Sequence, residues 1–232
     1  MTKPAATVYL VDDDPGVREA IEDLLSSHGF DVATFSSASA YKAAIGNATG
    51  PACLVLDVEL PDMNGLELQS ELAGGQHPPI VFITGVGDIP SSVRAIKAGA
   101  VDFLPKPFTP EQLLTAIEAA VQQHRQMQSQ LTELATLKGR YASLTPRERE
   151  VLPLVVRGRL NKQAAAELGI SEVTLQIHRG NIMRKMAADS LADLVRMSIK
   201  LGIAANDDDN VNSSTLPHPP TAAGGRSGTE HT

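Results

Sequence analysis

Short apolar runs alternate with amphipathic or capped segments through the first half of the chain. Five runs are rich in Val, Ile, Leu and Phe: Val8 to Val11, Val32 to Phe35, Cys53 to Leu56, Ile80 to Ile83 and Val101 to Leu104. Continuous apolar runs are typical of strands that are covered on both faces. The pattern therefore predicts an α/β fold, a five-stranded doubly wound parallel sheet with helices on both sides.

A long helix is predicted to follow the sheet. It begins near Thr109 and meets no obvious stop before Gly139, a reach of roughly 43 Å at 1.5 Å per residue. Six of its residues keep a three-four spacing: Ile117, Ala120, His124, Met127, Leu131 and Leu134. The spacing fits a coiled-coil contact between two copies and equally a plain amphipathic linker, because it covers few heptads. His124 is interpreted as a tolerated polar residue at this position.

Helix signals return in the second half and predict an all-α module of four helices. The predicted cap residues are Thr145, Asn161, Ser171 and Ser190. Glu148 completes a capping box at the first helix, and Gly169 ends the second. Pro153 lies inside the first helix and should kink it.

These patterns divide the chain into four parts. They are residues 5–124 (the sheet domain), 125–140 (a helical linker), 141–203 (the all-α domain) and 204–232 (a tail). The tail is rich in Asp, Asn, Pro, Gly and Ser and offers little to bury, so it is predicted to be disordered.

Charge separates the two domains. The first 124 residues contain 6 Lys and Arg against 16 Asp and Glu, whereas residues 140–203 contain 11 against 6. An acidic module is thus joined to one that can meet a polyanion. The single cysteine, Cys53, excludes an intrachain disulfide and is expected to be buried and inert. With no apolar run near 18 residues and no signal-peptide pattern, we expect a cytoplasmic protein without membrane contact.

Polar side chains stand at the carboxyl ends of the predicted strands, where ligands bind in such sheets. Asp12 and Asp13 follow the first strand, Asp57 the third, Thr84 the fourth and Lys106 the fifth. The run of three acids that begins here has two interpretations, a site for a divalent cation or a polar turn with a helix cap.

The whole set favours phosphoryl transfer. Mg²⁺ prefers oxygen ligands and bridges phosphates, which explains clustered acids. Asp57 would attack phosphorus, while Lys106 and Thr84 would meet the equatorial oxygens.

With these residues in place, the chain resembles two-component response regulators of the FixJ-like branch along nearly its whole length. The motifs are Val-Asp-Asp-Asp at 11–14, Leu-Asp-Val-Glu-Leu-Pro-Asp-Met-Asn-Gly at 56–65, Ile-Thr-Gly at 83–85 and Ala-Gly-Ala-Val-Asp-Phe-Leu-Pro-Lys-Pro-Phe at 98–108. The resemblance implies a flavodoxin-like receiver domain in residues 5–124.

The resemblance also assigns roles in the acidic site. It implies that Asp57 is the phosphate acceptor, that Asp12, Asp13, Asp57 and the backbone carbonyl of Glu59 hold Mg²⁺, and that Lys106 precedes a cis proline.

A switch pair is implied as well. The Thr84 hydroxyl would move towards the phosphoryl group and the Phe103 ring would follow, although the sequence alone indicates a static core aromatic at Phe103. Asp14 is expected to cap a helix or stand outside the metal ligands, and Glu59 and Val86 to tune the phosphate lifetime.

The second module resembles the NarL/LuxR-type helix-turn-helix, with Gly169 in the turn and residues 172–186 as the recognition helix. The residues expected to contact DNA are Lys162, Thr174, Gln176, Ile177, Arg179, Arg184 and Lys185. Of these, Thr174, Gln176 and Ile177 would face the bases and the four basic residues the phosphates. Many relatives carry Lys in place of Gln176, so operator preference should differ. His178 is interpreted as a packed residue at the core edge.

The last helix presents a stripe that pairs DNA-binding domains, as in this family, or closes its own core, and the two roles are compatible. The stripe contains Leu194, Val195, Met197, Ser198 and Leu201.

The implied function is a phosphorylation-switched transcription factor. A sensor histidine kinase would phosphorylate Asp57, the protein would dimerise through the receiver, the linker coil or both, and the helix-turn-helix would bind double-stranded DNA, with RNA polymerase as a further candidate partner. It would not be an enzyme beyond magnesium-assisted self-phosphorylation and slow self-dephosphorylation.

Two alternatives stay open. One is a haloacid-dehalogenase-like phosphohydrolase with Asp12 as nucleophile, although Gly16 replaces the expected Thr or Val and Asp57 is then unexplained. The other is a receiver that binds protein partners through its helix-turn-helix or serves as a phosphate sink.

Overall fold

A computed structural model describes residues 6–44, 50–85 and 89–203. The chain divides into two compact units, the first ending at Glu133 and the second beginning at Leu134, and each is described by itself. Val86 and the predicted tail from residue 204 lie outside the described residues. No helix in the described ranges is long and apolar enough to span a membrane.

The first unit alternates five strands and five helices. Its strands are β1 Thr7–Val11, β2 Asp31–Phe35, β3 Ala52–Asp57, β4 Ile80–Thr84 and β5 Asp102–Pro105. Its helices are α1 Pro15–Ser27, α2 Ala38–Ala44, α3 Gly65–Leu72, α4 Ile89–Lys97 and α5 Pro110–Ala142, the last of which continues into the second unit. All strand pairs are parallel, in the order β2-β1-β3-β4-β5. The predicted five-stranded parallel sheet is confirmed.

Hydrophobic cores cover both faces of this sheet. Along β3, Cys53 and Val55 enter the core formed with α1 and α5, whereas Leu54 and Leu56 enter the core on the opposite face. Side chains alternate along a strand, so a central strand is buried on both sides. All six β3 residues are buried, and the strand therefore ends with Asp57 in a sheltered position.

Helix α5 passes the expected stop at Gly139 and ends at Ala142. Two positions of its predicted three-four spacing, Ile117 and Ala120, are fully buried in the core of the first unit. They are therefore not available to a second copy. Met127 and Leu131 are 42% and 45% exposed, so only the later part of the spacing remains open for a coiled coil.

His124 anchors the middle of α5 to the start of β3. Its Nδ1 accepts a hydrogen bond from the Ala52 backbone N–H at 2.7 Å, and one turn later Gln128 Nε2 donates to the Gly50 carbonyl at 3.0 Å. The interpretation of His124 as a tolerated polar residue is thus wrong, since it is a specific contact. Burial lowers the pKa of His124, and the nearby charge of His77 lowers it further.

The second unit contains four helices after the end of α5. They are α6 Pro146–Val156, α7 Asn161–Leu168, α8 Glu172–Met186 and α9 Leu191–Lys200. One core joins them, with Leu152, Leu175, Ile182 and Leu194 among its fully buried members. The four predicted helices are confirmed.

Three of the predicted caps hold and one does not. Thr145, Ser171 and Ser190 accept backbone hydrogen bonds at the starts of α6, α8 and α9. Asn161 is instead the first residue of α7, because Leu160 occupies the cap position and its N–H donates to the Gln163 side chain.

Helix α6 contains Pro153 and continues to Val156. Gly169 ends α7 in the left-handed conformation at φ 65°, which glycine adopts without steric cost.

We expect the stability of the protein to depend on His124 in a pH-dependent way. A folded-state pKa below the ordinary value means that the unfolded chain binds the proton first, so the stabilisation is present above about pH 6.5 and is lost as pH falls below it. The urea midpoints of wild type and His124→Gln should therefore differ more at pH 8 than at pH 5.5. The exposed His28→Gln serves as control, and a difference independent of pH would contradict the assignment.

Candidate functional site: an acidic receiver pocket and a helix-turn-helix surface

Parallel strands bring four of the predicted side chains to one edge of the sheet. Asp57 is the last residue of β3 and Thr84 the last of β4, while Asp12 and Lys106 directly follow β1 and β5. The register sets Val11 beside Leu56 and Asp57 beside Ile83. Lys106 precedes Pro107 through a cis peptide bond, as predicted.

The Lys106 ammonium is shared between two carboxylates. Its Nζ lies 2.6 Å from Asp12 Oδ2 and 2.6 Å from Asp57 Oδ2. Asp12 is fully buried and Asp57 is 4% exposed. One positive charge thus faces two negative charges where water has little access, and the pair is only half compensated.

Backbone N–H groups hold the other carboxylate oxygens. Asp14 N–H donates to Asp12 Oδ1 at 2.9 Å, and Glu59 N–H donates to Asp57 Oδ1 at 3.0 Å. Burial raises the pKa of Asp12 despite its hydrogen bonds to Lys106 and the Asp14 N–H. Burial opposes the charge of Lys106, but the bonds to Asp12 and Asp57 outweigh it and raise the pKa of Lys106. The lysine therefore stays protonated.

The acidic side chains fit a divalent cation. Carboxylate oxygens of Asp12, Asp13 and Asp57 lie within 4.8 Å of one another. With Lys106 as their counter-charge, three carboxylates leave negative charge that a hard cation with oxygen ligands would neutralise. Ligation by the Glu59 carbonyl, in the loop after β3, stays a prediction. Asp14 caps α1 by accepting hydrogen bonds from the Gly16 and Val17 N–H groups, which is one of its two predicted roles.

The loop after β3 is fixed close to the Asp57 backbone. A Cβ on Gly65 would lie 2.4 Å from the Asp57 carbonyl oxygen, so a glycine is required. Asn64 and Glu67 form a capping box at the start of α3. Asp62 accepts hydrogen bonds from the Ala38 and Ser39 N–H groups at the start of α2. A hydrogen bond from the Ser39 side chain, helped by these N–H groups, lowers the pKa of Asp62.

Two contacts of the loops at this edge of the sheet were not foreseen. They are the Asp62 bonds to α2 and the donation from Arg18 Nη1 to the Asp12 carbonyl at 2.6 Å. In both, the two partners are brought into contact only by the packing of loops against helices. The spacing of the sequence carries no signal for them.

The predicted switch residues lie on two neighbouring strands, Thr84 at the end of β4 and Phe103 on β5. Thr84 is fully buried. Phe103, on β5, is half-buried and its ring centroid lies 6.1 Å from that of Phe82. Movement of either side chain stays a prediction.

The recognition helix exposes some of its predicted DNA contacts. Gln176, Ile177 and Arg184 are exposed on α8, and Lys162 is exposed on α7. The stripe on α9 closes the core of its own unit, since Leu194 and Ser198 are buried and Val195, Met197 and Leu201 are half-buried. Pairing of two DNA-binding domains through this stripe stays a prediction.

The remaining predicted contacts are bonded within the unit. Lys185 Nζ lies 2.7 Å from Glu148 Oε2, and Glu148 is 3% exposed. Burial opposes ionisation of Glu148, but the Lys185 bond prevails and lowers the pKa of that carboxyl.

Arg179 and Thr174 also have internal partners. Arg179 Nη1 donates to Asn161 Oδ1 at 2.8 Å, and the Thr174 N–H donates to the capping hydroxyl of Ser171. His178 is half-buried, and within the described part of the chain its buried Nδ1 has no hydrogen-bond partner.

Both halves of the chain match known protein families. Residues 8–118 match the response regulator receiver domain, and residues 142–198 match the bacterial regulatory proteins of the luxR family. A parallel α/β receiver followed by a luxR-type helix-turn-helix defines a transcriptional response regulator.

Related proteins share this organisation. The chain is 49% identical over 203 residues to Nodulation protein W of Bradyrhizobium diazoefficiens, covering 87% of this chain and 88% of that protein. It is 40% identical over 198 residues to the transcriptional regulatory protein FixJ of the same organism, covering 84% and 96%. The solved structure of the response regulator StyR aligns with a TM-score of 0.75 at 48% identity, over 84% of this chain and 99% of that one. The chain belongs to the FixJ-like response regulators, and this family membership decides against the phosphohydrolase alternative.

Magnesium should stabilise the protein through the acidic pocket. A ligand that binds only the folded state at ten times its dissociation constant adds about 1.4 kcal/mol. Asp13→Asn, at the exposed carboxylate, should remove most of that gain, measured as the shift in thermal midpoint on titration with Mg²⁺. Asp23→Asn, an exposed change on α1, should retain it. An equal magnesium response in Asp13→Asn would show that the ion binds elsewhere.

Proposed function

We propose that Asp57 accepts a phosphoryl group from a sensor histidine kinase and that the phosphorylated protein binds double-stranded DNA to regulate transcription. The observation that carries the proposal is the Asp57 carboxylate, which ends a buried central strand with Lys106 Nζ 2.6 Å away. An oxyanion in that position is pre-aligned with a fixed positive charge.

The transfer is a substitution at phosphorus. An Asp57 carboxylate oxygen forms the new O–P bond as the P–N bond to the kinase histidine breaks, and the electron pair of that bond returns to the imidazole. Asp12, Asp13, Asp57 and the Glu59 carbonyl would hold Mg²⁺. When bound, Mg²⁺ supplies charge that neutralises the phosphoryl oxygens.

After transfer, Lys106 exchanges one carboxylate partner for a phosphoryl oxygen, since the acceptor oxygen has become part of a mixed anhydride. The Thr84 hydroxyl bonds a second phosphoryl oxygen. Phe103, beside Phe82 in the core, then takes up the space next to Thr84 and changes the surface of β5.

DNA binding is assigned to the basic second unit. The exposed Gln176, Ile177, Arg184 and Lys162 are available for contact, whereas Thr174, Arg179 and Lys185 would have to share or leave their present partners. A homodimer, joined through the receiver and the exposed part of α5, would present two such units to paired half-sites. RNA polymerase is a further proposed partner.

Asp57→Asn should abolish labelling by acetyl phosphate in the presence of Mg²⁺. The amide retains the shape but lacks the nucleophilic carboxylate. Asp23→Asn should label like wild type. Labelling is measured by mass spectrometry of the intact protein, and a phosphate retained on Asp57→Asn would refute the acceptor assignment.

Arg184 and Lys185 are neighbours that we expect to act differently. Arg184→Ala should reduce the slope of log K against log salt by about 0.9, the contribution of one phosphate contact. Lys185→Ala should leave that slope unchanged and lower stability by about 1–3 kcal/mol, because it leaves the Glu148 carboxylate buried without its partner. The slope is measured by DNA binding between about 50 and 200 mM salt. Stability is measured by chemical denaturation. A reduced slope for Lys185→Ala would instead show that this lysine also meets a phosphate.

A further inference from the structure

An aliphatic stripe stands open on the recognition helix. Val173 is 67% exposed and Ile177 is 59% exposed. At about 100° per residue, these two side chains, Gly180 and Arg184 fall within roughly 60° of one another around α8. The residues that enter the core from the opposite side of α8 are Leu175, Ile182 and Met186.

The fold of the second unit does not account for this stripe. β-branched side chains lose rotamer freedom in a helix, which costs free energy. Val173 and Ile177 are so exposed that packing within the unit offsets little of this cost. Two such residues one turn apart, on the face away from the core, suit a contact that the unit makes with something else.

The charges around the stripe point to nucleic acid as its partner. Residues 140–203 carry 11 Lys and Arg against 6 Asp and Glu, and Arg184 stands on the same face as the stripe. Gln176, exposed at its margin, can bond adenine through two hydrogen bonds. A second copy of this chain, equally basic here, would be repelled.

The edge of a base pair in the major groove offers one apolar group, the C5-methyl of thymine. We infer that Val173 and Ile177 read thymine methyl groups, so that the operator carries A·T pairs beneath the stripe; this rests on the DNA binding proposed above. A G·C pair would place polar atoms against aliphatic side chains and leave them without hydrogen-bond partners.

The geometry of α8 sets a spacing for the contacts. Val173 and Ile177 are four residues apart, about 6 Å along the helix axis, and base pairs rise about 3.4 Å. For a helix lying along the groove, the two thymines are about two steps apart. Gly180 continues the same face without a side chain, and nothing lies within 4 Å of a Cβ placed there, so the helix can approach the groove closely beyond Ile177.

The experiment removes single methyl groups from DNA. The full-length protein, treated with beryllofluoride and Mg²⁺, selects binding sites from a random double-stranded library. The selected site is then synthesised with deoxyuridine in place of each thymidine in turn, which deletes the methyl and keeps the hydrogen-bonding edge. At one or two positions we expect the affinity of the wild-type protein for the site to fall about fourfold. This is the effect of losing one buried methyl-sized group, at about 0.8 kcal/mol.

Matched variants identify the side chain that meets each methyl. Val173→Ser and Ile177→Ser remove the methyl groups of each side chain at exposed positions, and each should abolish the deoxyuridine penalty at one thymine only. Ile199→Ser is the control, since Ile199 is 62% exposed on α9 and lies outside the stripe. It should keep every penalty.

The outcomes separate the inference from the proposed function. A selected site without any deoxyuridine penalty, or with penalties that persist in Val173→Ser and Ile177→Ser, would overturn the methyl contact and leave DNA binding standing. Failure to enrich any sequence would reject DNA binding and the inference with it. If Ile177→Ser changed only the mass measured by light scattering, the stripe would be a contact between copies instead.

Discussion

The structure of the receiver depends on one lysine shared by two buried carboxylates. Lys106 follows the last strand of the sheet, and its ammonium reaches Asp12 after the first strand and Asp57 at the end of the central one. Each carboxylate gains a counter-charge, because a buried carboxylate without one would be costly. One lysine therefore holds the two carboxylates at the same edge of the sheet but neutralises only one of their two negative charges. The remaining negative charge suits the site to a cation and, with it, a phosphoryl group.

The second unit uses the same principle in a different place. Lys185 lies on the recognition helix, and its partner Glu148 lies in the first turn of α6, where it also completes the capping box with Thr145. Arg179 on α8 likewise donates to Asn161 at the start of α7. The flanks of α8 are thus tied to both preceding helices, and only its outward face remains open to solvent.

Much of this architecture could be predicted from local signals. The apolar runs gave all five strands, the carboxyl-end rule placed Asp12, Asp57, Thr84 and Lys106 at one edge, and hydroxyl caps marked three of the four short helices. What could not be predicted depends on contacts between distant segments. His124 bonds Ala52 across 72 residues, and the partner of Lys185 is 37 residues away. Periodicity identifies a face of a helix but not what covers it, so His124 was misread and the ion pair of Lys185 with Glu148 was not foreseen.

The pairing of Lys185 with Glu148 has a consequence for how such a regulator changes over generations. Because the recognition helix is positioned by its flanks and its core side, substitutions on the outward face need not disturb folding. Promoter choice can then drift, or be re-engineered, through a few surface codons while the scaffold is inherited intact. Duplicated copies of such a gene could take on separate sets of target genes quickly, with the receiver and its chemistry left as they were.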